Sequence, residues 1–218
     1  MQARRSRARF TQAEVVTAAL TVLDEHGLGA VTIRSVGGRL GAAPMSLYSY
    51  FTSKHQLLDL MFSEVASRLY ADAGQPTWQG EITALCLRVR SLVLLHPNWR
   101  LLFSRAEAPR RVPVTERLLE MMKGDGVPPA KGFVAAHNAC LLALGFALVE
   151  LSFRGPGGQS SFVARFERIK EQCREPEFAA EQPLTVEACK DAPPMSLDRN
   201  FERAVAAFVA GIEATRAP

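Results

Sequence analysis

Val31-Thr-Ile-Arg-Ser-Val-Gly-Gly-Arg-Leu-Gly-Ala-Ala-Pro-Met-Ser-Leu-Tyr-Ser-Tyr-Phe51 decides how this chain folds. Thr32 offers a hydroxyl to cap a short helix whose inward face is Ile33, Val36 and Leu40, and Gly41 stops it. Gly41-Ala-Ala43 separates this helix from a third one, opened by Pro44, whose missing amide proton has no helical partner at that position anyway. Leu47 and Phe51, four apart, mark the buried side of the third helix. At about 100° per residue, Met45 and Ser49 then point the opposite way, flanked by Ser46 and Tyr48. Upstream, Thr11-Gln-Ala-Glu14 is a capping box, and Val15, Val16, Ala19, Leu20, Val22 and Leu23 form the apolar stripe of a first helix over about Thr11–His26. Three short helices joined by small turns are the pattern of a helix-turn-helix, whose last helix enters the major groove.

Downstream, Ser53-Lys-His-Gln56 is a second capping box and opens a longer helix to roughly Ala73, with Leu57, Leu60, Met61 and Val65 facing inward. Further helices are predicted over about Trp78–Leu95, Asn98–Ser104, Val112–Lys123, Pro129–Phe153, Ser161–Arg174 and Ser196–Thr215. Gly155-Pro-Gly-Gly158 reads as a loop, and Glu175–Pro194, with four prolines and many charges, as a mobile excursion. No alternating strand pattern appears. The expected fold class is all-α: an N-terminal three-helix helix-turn-helix domain over residues 1–54, then a helical bundle over 55–218.

At 218 residues the chain is long enough to bury a core, and 48% hydrophobic with 22% charged residues is ordinary globular usage. Its longest apolar stretch, Ala139–Val149, is too short to span a bilayer, and no apolar h-region follows the basic N-terminus, so a cytoplasmic, non-membrane protein is expected. Cys86, Cys140, Cys173 and Cys189 are widely spaced with no C-x-x-C pair, the pattern of free thiols rather than of a metal site. The charge is lopsided. Residues 1–54 hold seven basic side chains against three acidic ones, whereas the rest of the chain balances nineteen against nineteen. A cationic head on a neutral body is an electrostatic footprint for a polyanion.

The third helix bears no charge of its own. That suits base reading, since small hydroxyls and a methionine approach base edges and thymine methyls while neighbouring groups take the phosphates. Thr32, Tyr48, Tyr50 and Lys54 are placed to grip the backbone, Thr32 and Lys54 at helix N-termini. Residues Val31 to Leu58 resemble the DNA-binding head of the tetracycline-repressor (TetR) family, through Thr32, Leu40, Gly41, Leu47, Tyr48, Tyr50, Phe51, Lys54, Leu57 and Leu58, within a similarity covering about Arg9 to Met61. The resemblance implies phosphate contacts at Thr32, Tyr48, Tyr50 and Lys54 and base-facing positions at Ala43, Pro44, Met45, Ser46 and Ser49; Arg34 joins this DNA-facing set. Two features depart from the family pattern. Gly37 and Gly38 stand mid-helix where alanine or a longer side chain is more frequent, at about 1 kcal/mol each, and Tyr50 replaces a frequent histidine.

Leu94-Leu-His-Pro-Asn-Trp-Arg-Leu-Leu102 and Gly145-Phe-Ala-Leu-Val-Glu150 are similar to the C-terminal domain of the same family. That implies a mostly buried ligand pocket among the middle helices and a four-helix homodimer interface built from the helix near 129–153 and the last one. Pocket candidates are Met61, Leu85, Val89, Leu92, His96, Phe103, Met121, His137, Asn138 and Leu141, apolar groups with a few polar ones for orientation. The expected function is a DNA-binding transcriptional regulator, a repressor that binds a palindromic duplex operator as a homodimer and is released by a small-molecule effector. No cofactor and no metal are expected. An enzyme would have to use His96, Glu107, His137 or Glu150, but the chain has no phosphate-cradling glycine loop, no H-E-x-x-H and no nucleophile elbow. A scaffold dimer that has lost DNA affinity is disfavoured by the intact Thr32, Tyr48 and Lys54.

Overall fold

The computed structural model describes residues 10–69, 71, 73–102, 113–153, 161–193 and 196–214, and among these no strand occurs. The fold is all-α, as expected. Close packing of the backbone divides the chain into two units, Met1–Gly74 with Leu92–Leu118, and Gln75–Ser91 with Leu119–Pro218. The boundary expected at 54/55 is not where these units part. The helix that begins at Lys54 packs on the first helix and so belongs with it.

In the first unit, α1 (Gln12–His26) starts at the predicted capping box, with the Glu14 amide donating to Thr11 Oγ1 and the Thr11 amide donating back to the Glu14 carboxylate. Hydrogen bonds from the Thr11 backbone, then from its hydroxyl, hold the Glu14 carboxyl below the usual carboxylate range. Val15, Val16, Ala19, Leu20, Val22 and Leu23 are buried. α2 (Ile33–Leu40) is capped by Thr32, which accepts from the Ser35 amide, and ends at Gly41 in the left-handed conformation at φ 61°.

Gly37 explains itself in the structure. A Cβ there would lie 2.9 Å from the carbonyl oxygen of Ala42 and 3.7 Å from Leu47 and Pro44, so the glycine lets the turn fold back against the helix. Gly38 meets nothing within 4 Å. The third helix differs from expectation: Pro44–Ser49 is a six-residue 3-10 helix. Its i and i+3 positions nearly eclipse, which still leaves Leu47 and Phe51 buried and Tyr48 and Ser49 exposed. α3 (Lys54–Leu69) buries Leu57, Leu58, Met61 and Val65, while Leu60 is only half-buried. Its capping box is rearranged: the Gln56 amide donates to Ser53 Oγ, but the Gln56 side-chain oxygen accepts from Thr52, one residue earlier than the pattern.

α4 (Trp78–Leu95) and α5 (Pro113–Gly124) each give residues to both units. The second unit continues with α6 (Pro129–Ser152), α7 (Ser161–Gln172), α8 (Pro176–Glu181), α9 (Pro183–Asp191) and α10 (Leu197–Glu213). The segment 175–194, expected as a mobile excursion, is thus two short helices through Asp191. Pro176 and Pro183 are not breakers there, because each opens a helix where no amide donor is required. The predicted Gly155–Gly158 loop lies outside the described residues.

α6 is built inside out. Gly132, Ala135, Ala136, Ala139, Ala143 and Ala147 are buried, while Phe133, Val134, Leu141 and Leu148 are exposed. The small inward face permits close approach: a Cβ on Gly132 would stand 2.9 Å from Leu119 and 3.3 Å from the Met122 sulfur of α5. Phe146 meets Phe201 of α10 edge to face at 5.3 Å. Arg90 of α4 joins Glu150 of α6 at 2.7 Å and Asp198 of α10 at 2.5 Å, with its guanidinium 4.9 Å above the Phe201 ring. Contrary to the expectation drawn from Ala139–Val149, α6 is long and apolar enough to cross a membrane by length and composition. Its buried alanine stripe, its packing on α10 and the Arg90–Glu150 pair are the features of a bundle helix.

Candidate nucleic-acid interface

The 3-10 segment carries two kinds of side chain. Leu47 and Phe51 are buried at 0% and 2% exposure, with the segment packed on α2, which pins it, whereas Met45 is 77% exposed and Ala43, Pro44, Ser46, Tyr48 and Ser49 are exposed with it. The Ser46 hydroxyl donates to the Ala43 carbonyl at 2.7 Å and the Ser49 hydroxyl to the Ser46 carbonyl at 2.8 Å. With their protons committed, both oxygens present lone pairs outward and are equipped to accept rather than donate. Tyr48 also meets Phe51 ring to ring at 6.2 Å, so a core side chain steadies an exposed one.

Thr32, Arg34 and Lys54 are exposed, Thr32 as the cap of α2, Arg34 in its first turn and Lys54 as the first residue of α3. Tyr50 differs from them. It is half-buried, its hydroxyl accepts from the Phe10 amide at 3.0 Å, and its carbonyl accepts from Gln12 Nε2 at 3.0 Å. Its first duty is therefore to tether the start of α1 to the exposed segment. No spacing signal announces that role, since the partners lie forty residues apart.

The electrostatics are more concentrated than a tally over residues 1–54 suggests. Arg39 is held by Glu25 through two hydrogen bonds, of 2.5 and 2.9 Å, and that guanidinium first, then its charge, lowers the Glu25 carboxyl below its ordinary range. From residue 10 to residue 54 basic and acidic side chains number three each, so the excess of the head resides in Arg4, Arg5, Arg7 and Arg9. These four lie outside the described residues.

The ten pocket candidates are divided between the two units. Met61, Leu92 and His96 fall in the first unit and Leu85, Val89, Met121, His137, Asn138 and Leu141 in the second, while Phe103, like Glu107, lies outside the described residues. Met61, Leu85 and Val89 are buried, Leu92 and Met121 half-buried. His137, Asn138 and Leu141 depart from the expectation of a buried pocket: all three are exposed, on the outward side of α6 with Phe133 and Val134, because the helix turns its alanines inward. His96 is engaged elsewhere. Its Nδ1 lies 2.8 Å from the Asp24 carboxylate, its ring stacks on Trp99 at 3.9 Å, and Asn98 donates to the carbonyls of Leu23 and Asp24, both at 3.1 Å. Residues 96–99 thereby cap the C-terminal end of α1, and Arg68 of α3 lies over Trp99 at 5.3 Å.

Residues 15–61 match the description "Bacterial regulatory proteins, tetR family", and residues 71–216 match "Tetracyclin repressor-like, C-terminal domain". The chain is 32% identical over 123 residues to the HTH-type transcriptional repressor DrrR1 of Streptomyces coeruleorubidus, covering 54% of this chain and 45% of that one. It is 25% identical over 146 residues to the Tetracycline repressor protein class D of Escherichia coli, covering 65% and 66%. The match thus spans under half the length of the first of these relatives. Among solved structures, the Streptomyces coelicolor TetR family protein ActR in complex with actinorhodin superimposes with a TM-score of 0.74 at 22% identity, covering 97% of this chain and 99% of that one, a likeness of fold. With the head and the C-terminal part both matched and the helix-turn-helix in place, the chain belongs to the tetR family of bacterial regulatory proteins.

Proposed function

We propose that this regulator is a cytoplasmic homodimeric repressor that occupies a near-palindromic duplex operator through residues 1–54 and releases it when a small molecule binds within 55–218. The observation that carries the DNA reading is the contrast at Pro44–Ser49: Met45, Ser46, Tyr48 and Ser49 stand outside on a segment locked by the buried Leu47 and Phe51. Met45 meets a thymine methyl, and the Ser46 and Ser49 oxygens accept from the amino groups of cytosine or adenine. Ala43 and Pro44 allow the backbone to approach, while Tyr48, Tyr50, Thr32, Arg34 and Lys54 take phosphates. Repression is favoured by the repressor named among its relatives and by physical economy, since blocking a promoter requires occupancy alone.

The second copy docks on α6 and α10. Phe133, Val134, Leu141 and Leu148 give α6 a largely apolar outer face, with His137 and Asn138 among them, and a groove of about 650 Å³ lined by Val134, Asn138, Phe208 and Ile212 runs beside it. Buried interfaces of permanent dimers have this apolar make-up. Two heads so joined address successive major grooves, roughly 34 Å apart. An effector that prefers a conformation with another spacing dissociates the complex with a coupling of about 1–3 kcal/mol. The cap of residues 96–99 on α1, with the packing of α3 on α1, holds the head to residues beyond it.

Selection from random duplexes with the wild type, Met45→Ala and Ser49→Ala tests the assignment: the two variants are expected to shift base preference at distinct positions, and three identical profiles would remove Pro44–Ser49 from the groove. Deleting residues 1–9 is expected to flatten the salt dependence of affinity by about 0.9 in logarithmic slope for each phosphate the arm had neutralised. An unchanged slope would show that Arg4, Arg5, Arg7 and Arg9 touch no phosphate.

A further inference from the structure

The folding of 175–191 into α8 and α9 brings together two cysteines that stand sixteen positions apart in sequence. Cys173, just past α7, and Cys189, in α9, line one pocket of about 300 Å³, and Cys189 is near enough to act on the Cys173 thiol. Both are partly exposed, and Lys170, Arg174 and Lys190 line the same pocket. Cys140 is also partly exposed, but its cysteine neighbour is the buried Cys86. Cys86 is fully buried, its thiol donates to the Ala139 carbonyl at 3.5 Å, and burial pushes it up to about 12. Access and thiolate character select which thiols oxidise, and a second thiol within reach converts the first product into a disulfide.

We propose that Cys173 and Cys189 form a reversible dithiol site whose substrates are hydroperoxides, closing to an intramolecular disulfide between α7 and α9. One thiolate attacks a peroxide oxygen; the O–O bond breaks, and the alkoxide or hydroxide leaves and takes up a proton, giving a sulfenic acid. The second thiolate attacks that sulfur; the S–O bond breaks and hydroxide departs as water. Two thiols and one hydroperoxide become one disulfide, one alcohol (or water, from hydrogen peroxide) and one water. The three cations favour the attacking thiolate, although Lys170 shares its charge with Glu167 at 3.6 Å. Burial and the neighbouring Cys189 thiol push the Cys173 thiol upward, which opposes the effect of the cations and slows its attack on weak oxidants. Dithiols of this kind inside cells are transient and sensing rather than structural.

The test uses the full chain, reduced, then given one equivalent of hydrogen peroxide, with remaining thiols alkylated before tryptic mapping. The expected result is a disulfide joining the peptide 171–174 to the peptide 175–190, abolished by dithiothreitol, with at least about a ten-fold loss of the alkylated Cys173 peptide and little change at Cys86. Cys173→Ser and Cys189→Ser, each shown to be folded by circular dichroism, are expected to lose the link. Oxidation of Cys86 or Cys140 before this pair, full alkylation of Cys173 and Cys189, or a bridge that joins two chains on a non-reducing gel would overturn the assignment.

Discussion

The exposed segment Pro44–Ser49 and the outer face of α6 both present large apolar side chains to the surface, yet the occupants proposed for them differ. On the head, Met45 and Tyr48 are interleaved with Ser46 and Ser49, and Thr32, Arg34 and Lys54 are exposed at nearby helix starts. On α6 the exposed Phe133, Val134, Leu141 and Leu148 extend over four turns. A hydrated, charged surface such as DNA demands polar groups among the apolar contacts, whereas a second protein copy rewards a larger apolar area with few polar groups in it. The difference lies in what separates the exposed apolar groups, and it is visible only once the inward faces are known.

The contrast breaks most decisively at α6. Leu141→Glu leaves the isolated chain intact, because the residue is 53% exposed, but places a charge at the proposed contact. Dimer dissociation is expected to worsen by ~100-fold or more, about 3 kcal/mol, in sedimentation experiments, with operator affinity falling alongside. A dimer of unchanged strength would move the second copy to another face.

Next in size is Gly37→Ala. The added methyl collides with the Ala42 carbonyl, backbone that cannot swing away, so a loss of about 1–3 kcal/mol in thermal unfolding is expected. Unaltered stability would show that the turn is not held against α2. Tyr48→Ala follows: removing an exposed hydroxyl and ring is expected to weaken binding to every duplex by roughly five- to ten-fold, about 1 kcal/mol, without altering base preference. A changed preference would place Tyr48 among the base readers. The smallest effect has the opposite sign. Gly38→Ala, with nothing within 4 Å to meet, is expected to stabilise the head by about 0.5–1 kcal/mol, and a loss instead would reveal a neighbour at that face.

Where the sequence carried local chemistry, it was legible. Thr11 with Glu14 and Thr32 with Ser35 fix helix starts through hydrogen bonds three residues long, so α1 and α2 lie where their caps put them. The exposure of Met45 and Ser49 was readable too, because Leu47 and Phe51 admit one buried side under either helical period. That period itself was not: six residues after a proline satisfy an α or a 3-10 turn alike, and the choice rests on packing against the turn at Gly37. The two glycines look equivalent in sequence and differ only in their surroundings. His137, Asn138 and Leu141 were misplaced because α6 is apolar nearly all round, which erases the periodicity that tells inside from outside; only side-chain volume, alanine against phenylalanine and leucine, encodes it. The prolines of 175–194 misled for a related reason, since a proline that opens a helix and one that breaks it are the same letter.

The bond from the Phe10 amide to the Tyr50 hydroxyl has a further implication. It fixes the point from which the chain before Phe10 departs relative to Met45, Ser46 and Ser49, the side chains proposed to meet the bases. On the proposed reading, non-specific attraction and specific addressing are mechanically registered but chemically independent: exchanging Met45 or Ser49 would retarget the head to another operator while the chain before Phe10 still leaves from the same place.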